Sequence, residues 1–202
     1  MGTKEGSIKA PAAAAAPARQ KFTQPRVDNA TLATEPGRLH GLPPLVTANT
    51  RLLVLGSFPG QTSLAHQQYY AHRHNAFWRI LQAIWPSSPC PDCADSYEIK
   101  SSWMLDKGLG LWDVYASCER LGSQDSAIKE PLVNDLSRLA DLCPELRVIA
   151  HNGCESWRHA RHSAMLGLPI YRLPSTSPAN ASWSFARKLA AWREVAAVAG
   201  LL

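Results

Sequence analysis

The feature that most constrains this chain is an alternation that begins at Arg51: four short apolar runs, separated by stretches that include helical spacing. Leu52 to Leu55 is an apolar run stopped by Gly56. Phe77, Trp78, Ile80, Leu81 and Ile84 then recur on one helix face until Pro86 ends them. Leu109 to Val114 predicts a second strand, Arg147 to Ala150 a third and Ile170 to Leu173 a fourth. Between the second and third, Leu132, Leu136 and Leu139 predict a helix with Pro131 near its first turn. Gly153 leads into a helix through Ala164, and Ser184 to Val198 predicts a closing amphipathic helix. Strands separated by helices of this size pair in parallel through right-handed crossovers. The expected fold is therefore α/β, a three-layer α/β/α sandwich around a central, mainly four-stranded parallel sheet.

The residues before this pattern have a different character. Ala12 to Ala16 is an alanine run between Pro11 and Pro17, followed by Pro25, Pro36 and Pro43-Pro44. Such a stretch buries too little to offset the entropy of ordering itself, so residues 1–45 are expected to form a disordered extension and 46–202 the folded domain. The segment lacks the apolar core of a secretory signal. No run approaches the roughly 18 residues of a membrane-spanning helix. Five unevenly spaced Cys fit a reducing compartment, so the expected location is a bacterial-type cytosol. The net charge of +5 hints at an anionic partner such as nucleic acid. Most of it lies early: Met1 to Thr50 holds six Lys and Arg against three Asp and Glu, and the remainder fifteen against thirteen.

In an open parallel sheet, ligands sit beyond the carboxyl ends of the strands, so the residues that follow each run are the ones to examine. After the first comes Gly56-Ser57-Phe58-Pro59-Gly60, a tight turn whose backbone amides can donate to a carbonyl oxygen or an anion. After the fourth comes Pro174-Ser175-Thr176-Ser177-Pro178-Ala179-Asn180, a loop of small hydroxyl and amide residues suited to a phosphate backbone. Either could equally be a turn rich in Gly, Pro and Ser. Between the first strand and its helix lies Gln68-Tyr69-Tyr70-Ala71-His72-Arg73-His74-Asn75-Ala76-Phe77-Trp78.

Taken together, Gly-x-x-Pro-Gly after a strand, the segment from Tyr70 through Asn75 to Trp78, and the Pro-Ser loop near the carboxyl end resemble the uracil-DNA glycosylase superfamily. Ser57-Phe58 and the run from Leu173 to Asn180 are most similar to its hypoxanthine-DNA glycosylase branch, also called DNA-deoxyinosine glycosylase. The resemblance spans Arg51 to Val198. It implies a DNA repair hydrolase that flips a deaminated base, hypoxanthine first and uracil as the alternative, out of DNA and cuts its N-glycosidic bond. Two customary polar groups are missing. Uracil-removing members carry Asp at the third position of the first motif, where this chain has Phe58, and a His opening the last motif, where it has Leu173 and Pro174.

The bond passes through a transition state with oxocarbenium character, so the enzyme helps by positioning water, stabilising the departing base and excluding solvent. The catalytic expectation is Asn75, whose amide carbonyl can accept from water. The other role open to Asn75 is capping the helix that starts near Ala76. The resemblance places Tyr70 where an aromatic ring stacks on the extruded base. With Gly56, Ser57, Phe58, Pro59, Gly60, Trp112 and Asp113 it makes the expected base pocket. An ionised Asp113 could accept from N1–H of hypoxanthine or N3–H of uracil, or could instead tie a loop to Ser117 or Ser123. Ser123 with Asp125 and Asn152 are each open between supporting the site and an ordinary turn or cap. Ser175, Thr176, Ser177, Pro178, Ala179 and Asn180 are the expected DNA contacts, Trp183 reads as core, and Arg73, Arg158, Arg161, Arg172, His159 and His162 as a basic rim.

Other chemistries fit less well. Cys90-Pro91-Asp92-Cys93 is half of a zinc site without a second half, and neither Ser57 nor Ser175 lies in a Gly-x-Ser-x-Gly elbow. The hydrolytic reaction requires neither metal nor organic cofactor, and family resemblance implies a monomer whose partner is damaged DNA. The rival is a nucleic-acid-binding module that has lost catalysis with the missing Asp and His.

Overall fold

The computed structural model describes residues 37–90 and 96–202. Most of the extension expected from composition, and Cys93 of the cysteine pair, lie outside them. In chain order the elements are β1 (Arg38–His40), β2 (Leu52–Gly56), α1 (Gln61–His66), α2 (Phe77–Ile84), α3 (Tyr97–Asp106), β3 (Leu109–Asp113), β4 (Tyr115–Glu119), β5 (Lys129–Val133), α4 (Leu139–Leu142), β6 (Val148–Asn152), α5 (Cys154–Trp157), α6 (Ala160–Ala164), β7 (Ile170–Leu173) and α7 (Phe185–Val198). No helix among the described residues is long and apolar enough to cross a membrane.

The four expected strands form one parallel sheet in the order β3-β2-β6-β7. β2 reads as an unbroken apolar run because both faces of the sheet are covered. Leu52 and Val54 face a core cluster with Phe77, Ile80 and Leu81 of α2, Met104 of α3 and Trp192 and Val195 of α7. Leu53 and Leu55 face a second cluster with Phe58, Trp112, Leu136 and Leu139. The chain passes from β2 to β3 on one side and then crosses to β6 on the other. This places the topological switch point between β2 and β6, and the strand ends at such a point are where open parallel sheets bind ligands.

Three expectations are corrected. The helix expected around Leu132 to Leu139 is instead the strand β5 followed by a single 3-10 turn, Leu136–Arg138, and one short helix. β5 is the edge of a second, antiparallel sheet ordered β1-β4-β5, and an edge strand tolerates Pro131, which has no N–H to donate. Leu132, spaced like a core helix residue, stands exposed. The domain boundary drawn after residue 45 falls inside the fold: β1 pairs antiparallel with β4, and Leu42 and Leu45 are buried in the first core cluster. The helix expected through Ala164 is two pieces, α5 and α6, broken at Arg158 and His159.

Candidate active site

The parallel strands end in a row. Gly56 is in register with Asp113, Asn152 with Leu173, and Leu55 with His151 one step earlier. Val54, Leu111 and Ala150 point to the face covered by α2 and α7. Alternation therefore turns Gly56, Asp113 and Asn152, each two residues further on, to that same face. The lack of a side chain at Gly56 makes room there: a Cβ would stand 2.2 Å from Asp113 Oδ1 and 3.7 Å from the Tyr70 hydroxyl oxygen.

Asp113 is 4% exposed, and its Oδ2 is without a hydrogen-bond partner among the described residues. Burial pushes its carboxyl up to about 7, with the charge of Asp125 adding to the effect and that of Arg120 opposing it. Near neutral pH this group therefore exchanges between acid and carboxylate.

The first-motif turn is propped from behind. Carbonyls of Gly56 and Ser57 accept from the amides of Val114 (2.9 Å) and Tyr115 (3.0 Å). Ser57 Oγ donates to Asp125 Oδ1 at 2.7 Å, and Ser123 Oγ accepts from the Gln61 amide at 2.9 Å as α1 begins after Gly60. Arg120, buried at the end of β4, donates to the Pro59 carbonyl and lies 5.0 Å over the Phe58 ring. Ser123 and Asp125 thus belong to the support of the turn. Phe58 and Trp112, expected in the base pocket, are both buried in the second core cluster. Trp112 precedes Asp113 by one residue and so must face the opposite side of the sheet.

Tyr70 is held in the left-handed region at φ 53, and its ring stacks on Phe77 with centroids 4.1 Å apart and planes at 20°. One face of the ring that was expected to meet the base is thus taken by Phe77, while the hydroxyl is aimed at the space over Gly56. Tyr69 belongs to the core, donating to the carbonyls of Leu42 and Pro43. Asn75 Oδ1 accepts from the Phe77 amide, the first of α2, at 3.0 Å, while the N-cap position itself is Ala76, which has no side-chain cap bond. The next residue ties this segment to the last loop, the Ala76 amide donating to the Thr176 carbonyl at 2.9 Å. His72, Arg73 and His74 beside it are exposed.

The loop after β7 is braced by its own small side chains. Ser175 Oγ accepts from the Ser177 amide, Asn180 Nδ2 donates to the Ser175 carbonyl, and Lys188 Nζ of α7 donates to the Asn180 carbonyl. Pro178 and Ala179 stand exposed at its tip, Ser175, Ser177 and Asn180 are half-buried, and Thr176 is buried. Gly153, at φ 109, permits the close approach of this loop, since a Cβ there would lie 3.0 Å from Ser175 Cβ. Asn152 links the parts. Its Nδ2 donates to the Tyr70 hydroxyl (3.0 Å) and to Thr176 Oγ1 (2.9 Å), and its Oδ1 accepts from the Thr176 amide (3.0 Å). Ending the third strand at Ala150 hid this role; two more residues along the same face would have shown it. Trp183, read as core, is 37% exposed beneath the Arg187 guanidinium at 4.4 Å. In the expected basic rim, Arg158 is paired with Glu155 at 3.1 Å and Arg172 donates to Cys154 Sγ.

The three sequence motifs thus converge on the strand ends at the switch point. The family description "Uracil DNA glycosylase superfamily" matches residues 43–196. The chain belongs to the uracil DNA glycosylase superfamily. Two curated relatives agree. A hypoxanthine DNA glycosylase of Methanosarcina barkeri (strain Fusaro / DSM 804) is 34% identical over 154 residues, covering 76% of this chain and 95% of the relative. Another, from Methanosarcina acetivorans, is 38% identical over 145 residues, 71% and 89% respectively. The solution NMR structure of a Methanosarcina acetivorans protein described as a candidate uracil DNA glycosylase superposes with a TM-score of 0.71. It is 34% identical and covers 81% of this chain and 98% of that one.

As a DNA glycosylase the protein is a hydrolase of N-glycosyl bonds, and its geometry shows what stands where the superfamily's usual polar groups would be. Phe58 is buried in the second core cluster, and the Pro174 carbonyl accepts from Trp192 Nε1 at 3.4 Å. Of the four residues that end the strands on the face covered by α2 and α7, Gly56, Asp113, Asn152 and Leu173, Asp113 alone is ionisable.

Proposed function

We propose that this glycosylase releases hypoxanthine from DNA containing deoxyinosine, leaving an abasic site. The observation that carries the reading is the buried Asp113 carboxyl, leaning over Gly56 at the strand ends with Oδ2 unpartnered among the described residues. A buried polar atom without a partner costs free energy unless a ligand supplies one. In its ionised form Asp113 accepts the N1–H of hypoxanthine, while adenine presents a lone pair at that atom and is repelled. The names of both Methanosarcina relatives support the same base.

Asn75 is the residue proposed to position water. One lone pair of its Oδ1 is taken by the Phe77 amide, and the second is available to accept from the attacking water. An amide is too weak a base to remove a proton early, which suits a bond that breaks before the nucleophile attacks. Gly56, Ser57, Pro59 and Gly60 shape the floor and rim, and Tyr70, backed by Phe77, closes the wall. Ser175, Thr176, Ser177 and Asn180 hold the strand, with Pro178 and Ala179 at the exposed tip pressing on the duplex. The same reading has the protein acting as a monomer on DNA in the cytosol.

The test uses end-labelled duplexes bearing one deoxyinosine or one deoxyuridine, with alkali to cleave the abasic product. Cleavage at deoxyinosine is the expected result. Cleavage at uracil alone would replace the proposed base, and binding without cleavage at either would leave a binding module.

A further inference from the structure

Asn152 touches both loops that the reaction must hold together, and its amide orientation is fixed by its partners. The Thr176 backbone N–H can only donate, so the atom 3.0 Å away is Oδ1, and Nδ2 is the atom facing Thr176 Oγ1 and the Tyr70 hydroxyl. A hydroxyl that accepts from an N–H keeps its own proton for another partner. The Tyr70 ring has little freedom to choose that partner, since Phe77 is stacked on it and its backbone is held at φ 53. Before the hydroxyl lies the position over Gly56, which the Asp113 carboxyl already reaches. A Cβ there would approach both the hydroxyl oxygen, at 3.7 Å, and Asp113 Oδ1, at 2.2 Å.

We infer that Asn152 is a positioning residue that sets the polarity of the base pocket, turning the Tyr70 hydroxyl into a donor beside the acceptor Asp113. A donor next to an acceptor is complementary to the adjacent C6=O and N1–H of a 6-oxopurine. It opposes adenine, which presents an amino group and a lone pair at the same two places. The inference rests on the reading of the site as one for hypoxanthine and adds to it the second half of the edge readout. Asn152 acts through Tyr70 and meets no atom of the substrate itself.

Asn152→Asp tests the polarity with almost no change of shape. The carboxylate still accepts from the Thr176 amide, but it also accepts from both hydroxyls, so the Tyr70 proton turns away from the pocket. Single-turnover excision of deoxyinosine by Asn152→Asp and by Tyr70→Phe is expected to fall about tenfold in each case, the worth of one hydrogen bond in the transition state. Duplex affinity stays near that of the parent for both variants, and so does the melting temperature of Tyr70→Phe. Asn152→Asp melts somewhat lower, because its carboxylate is half-buried on the same face as Asp113. The double variant is expected to be no slower than Tyr70→Phe alone, because without the hydroxyl there is no polarity left to set.

Full activity of Tyr70→Phe would overturn the inference, whatever the folding of Asn152→Asp. A further fall on adding Asn152→Asp to Tyr70→Phe would overturn it too, since the added charge would then be the cause. Absence of deoxyinosine cleavage by the parent protein would instead remove the underlying reading of the substrate.

Discussion

Asp113 shows how one residue ties stability to chemistry. Its carboxyl titrates near 3.8 when solvated and at about 7 in the fold. Between those values the unfolded chain has lost a proton that the folded chain retains, so folding stability falls as pH rises from about 4 to about 7 and is level above that. The full difference is about 4 kcal/mol. Asp113→Asn removes this contribution. Its melting temperature is expected to exceed the parent's clearly at pH 8 and by much less at pH 5. Excision by the parent should rise with pH toward about 7, as the acceptor form fills, while the variant stays low and flat. Thermal melts and single-turnover rates on the same two proteins at several pH values check both, and a variant no more stable at pH 8 than the parent would contradict the burial cost. Asp113 was visible in the sequence as a polar residue closing an apolar run. Trp112 beside it was assigned to the same pocket because only a resolved strand shows which of two neighbours takes which face of the sheet. Asn152 was ambiguous because an Asn before Gly153 is an ordinary helix-entry signal.

At the scale of the element, α2 and its entry decide how Asn75 should be tested. Because Asn75 Oδ1 accepts from the Phe77 amide, Asn75→Ala removes a bond to the first amide of α2 and a proposed water ligand together. That bond alone is worth about 1 kcal/mol, so a loss of turnover in that variant could follow from a frayed helix. Asn75→Ser separates the two, since Ser can accept from the same amide but ends its side chain sooner. It is expected to melt within a few degrees of the parent and to cut deoxyinosine excision strongly, whereas Asn75→Ala loses both. Equal excision by Asn75→Ser and the parent, in the labelled-duplex assay, would leave Asn75 with that bond only. α2 was legible because its apolar residues follow one helical face and Pro86 ends the pattern. β5 was not: Lys129 to Val133 is mostly exposed, so no burial imprints a period of two on it, and Leu132 and Leu136 happen to fall four apart. Likewise α3, with no clear apolar stripe, is held by tertiary contacts, among them the Tyr97 hydroxyl that accepts from the Tyr69 amide.

At the scale of the molecule, the question is where the folding unit begins and what the residues before it contribute. Composition placed the boundary after residue 45 because prolines reach Pro43-Pro44, yet the chain around them is anchored. β1 pairs with β4, the Leu45 amide and carbonyl both bond to Leu111 at 2.8 Å, and Leu42 is 5% exposed. Prolines limit the chain without preventing burial of the leucines on either side. Two buried leucines are together worth about 3 to 6 kcal/mol, a large part of the stability of a domain this size. A protein of residues 37–202 is therefore expected to melt close to the full chain, and one of residues 46–202 to melt far lower or not fold. Residues 1–36 hold five Lys and Arg against three Asp and Glu, and residues 37–202 sixteen against thirteen. With so small an excess in the first segment, its removal should weaken duplex binding modestly and make the salt dependence slightly shallower, without altering single-turnover excision. Affinity measured across a salt series and excision at saturating protein, compared for residues 37–202 and the full chain, separate these effects. A fall in excision itself in the shorter protein would overturn the expectation that the early segment acts on affinity alone.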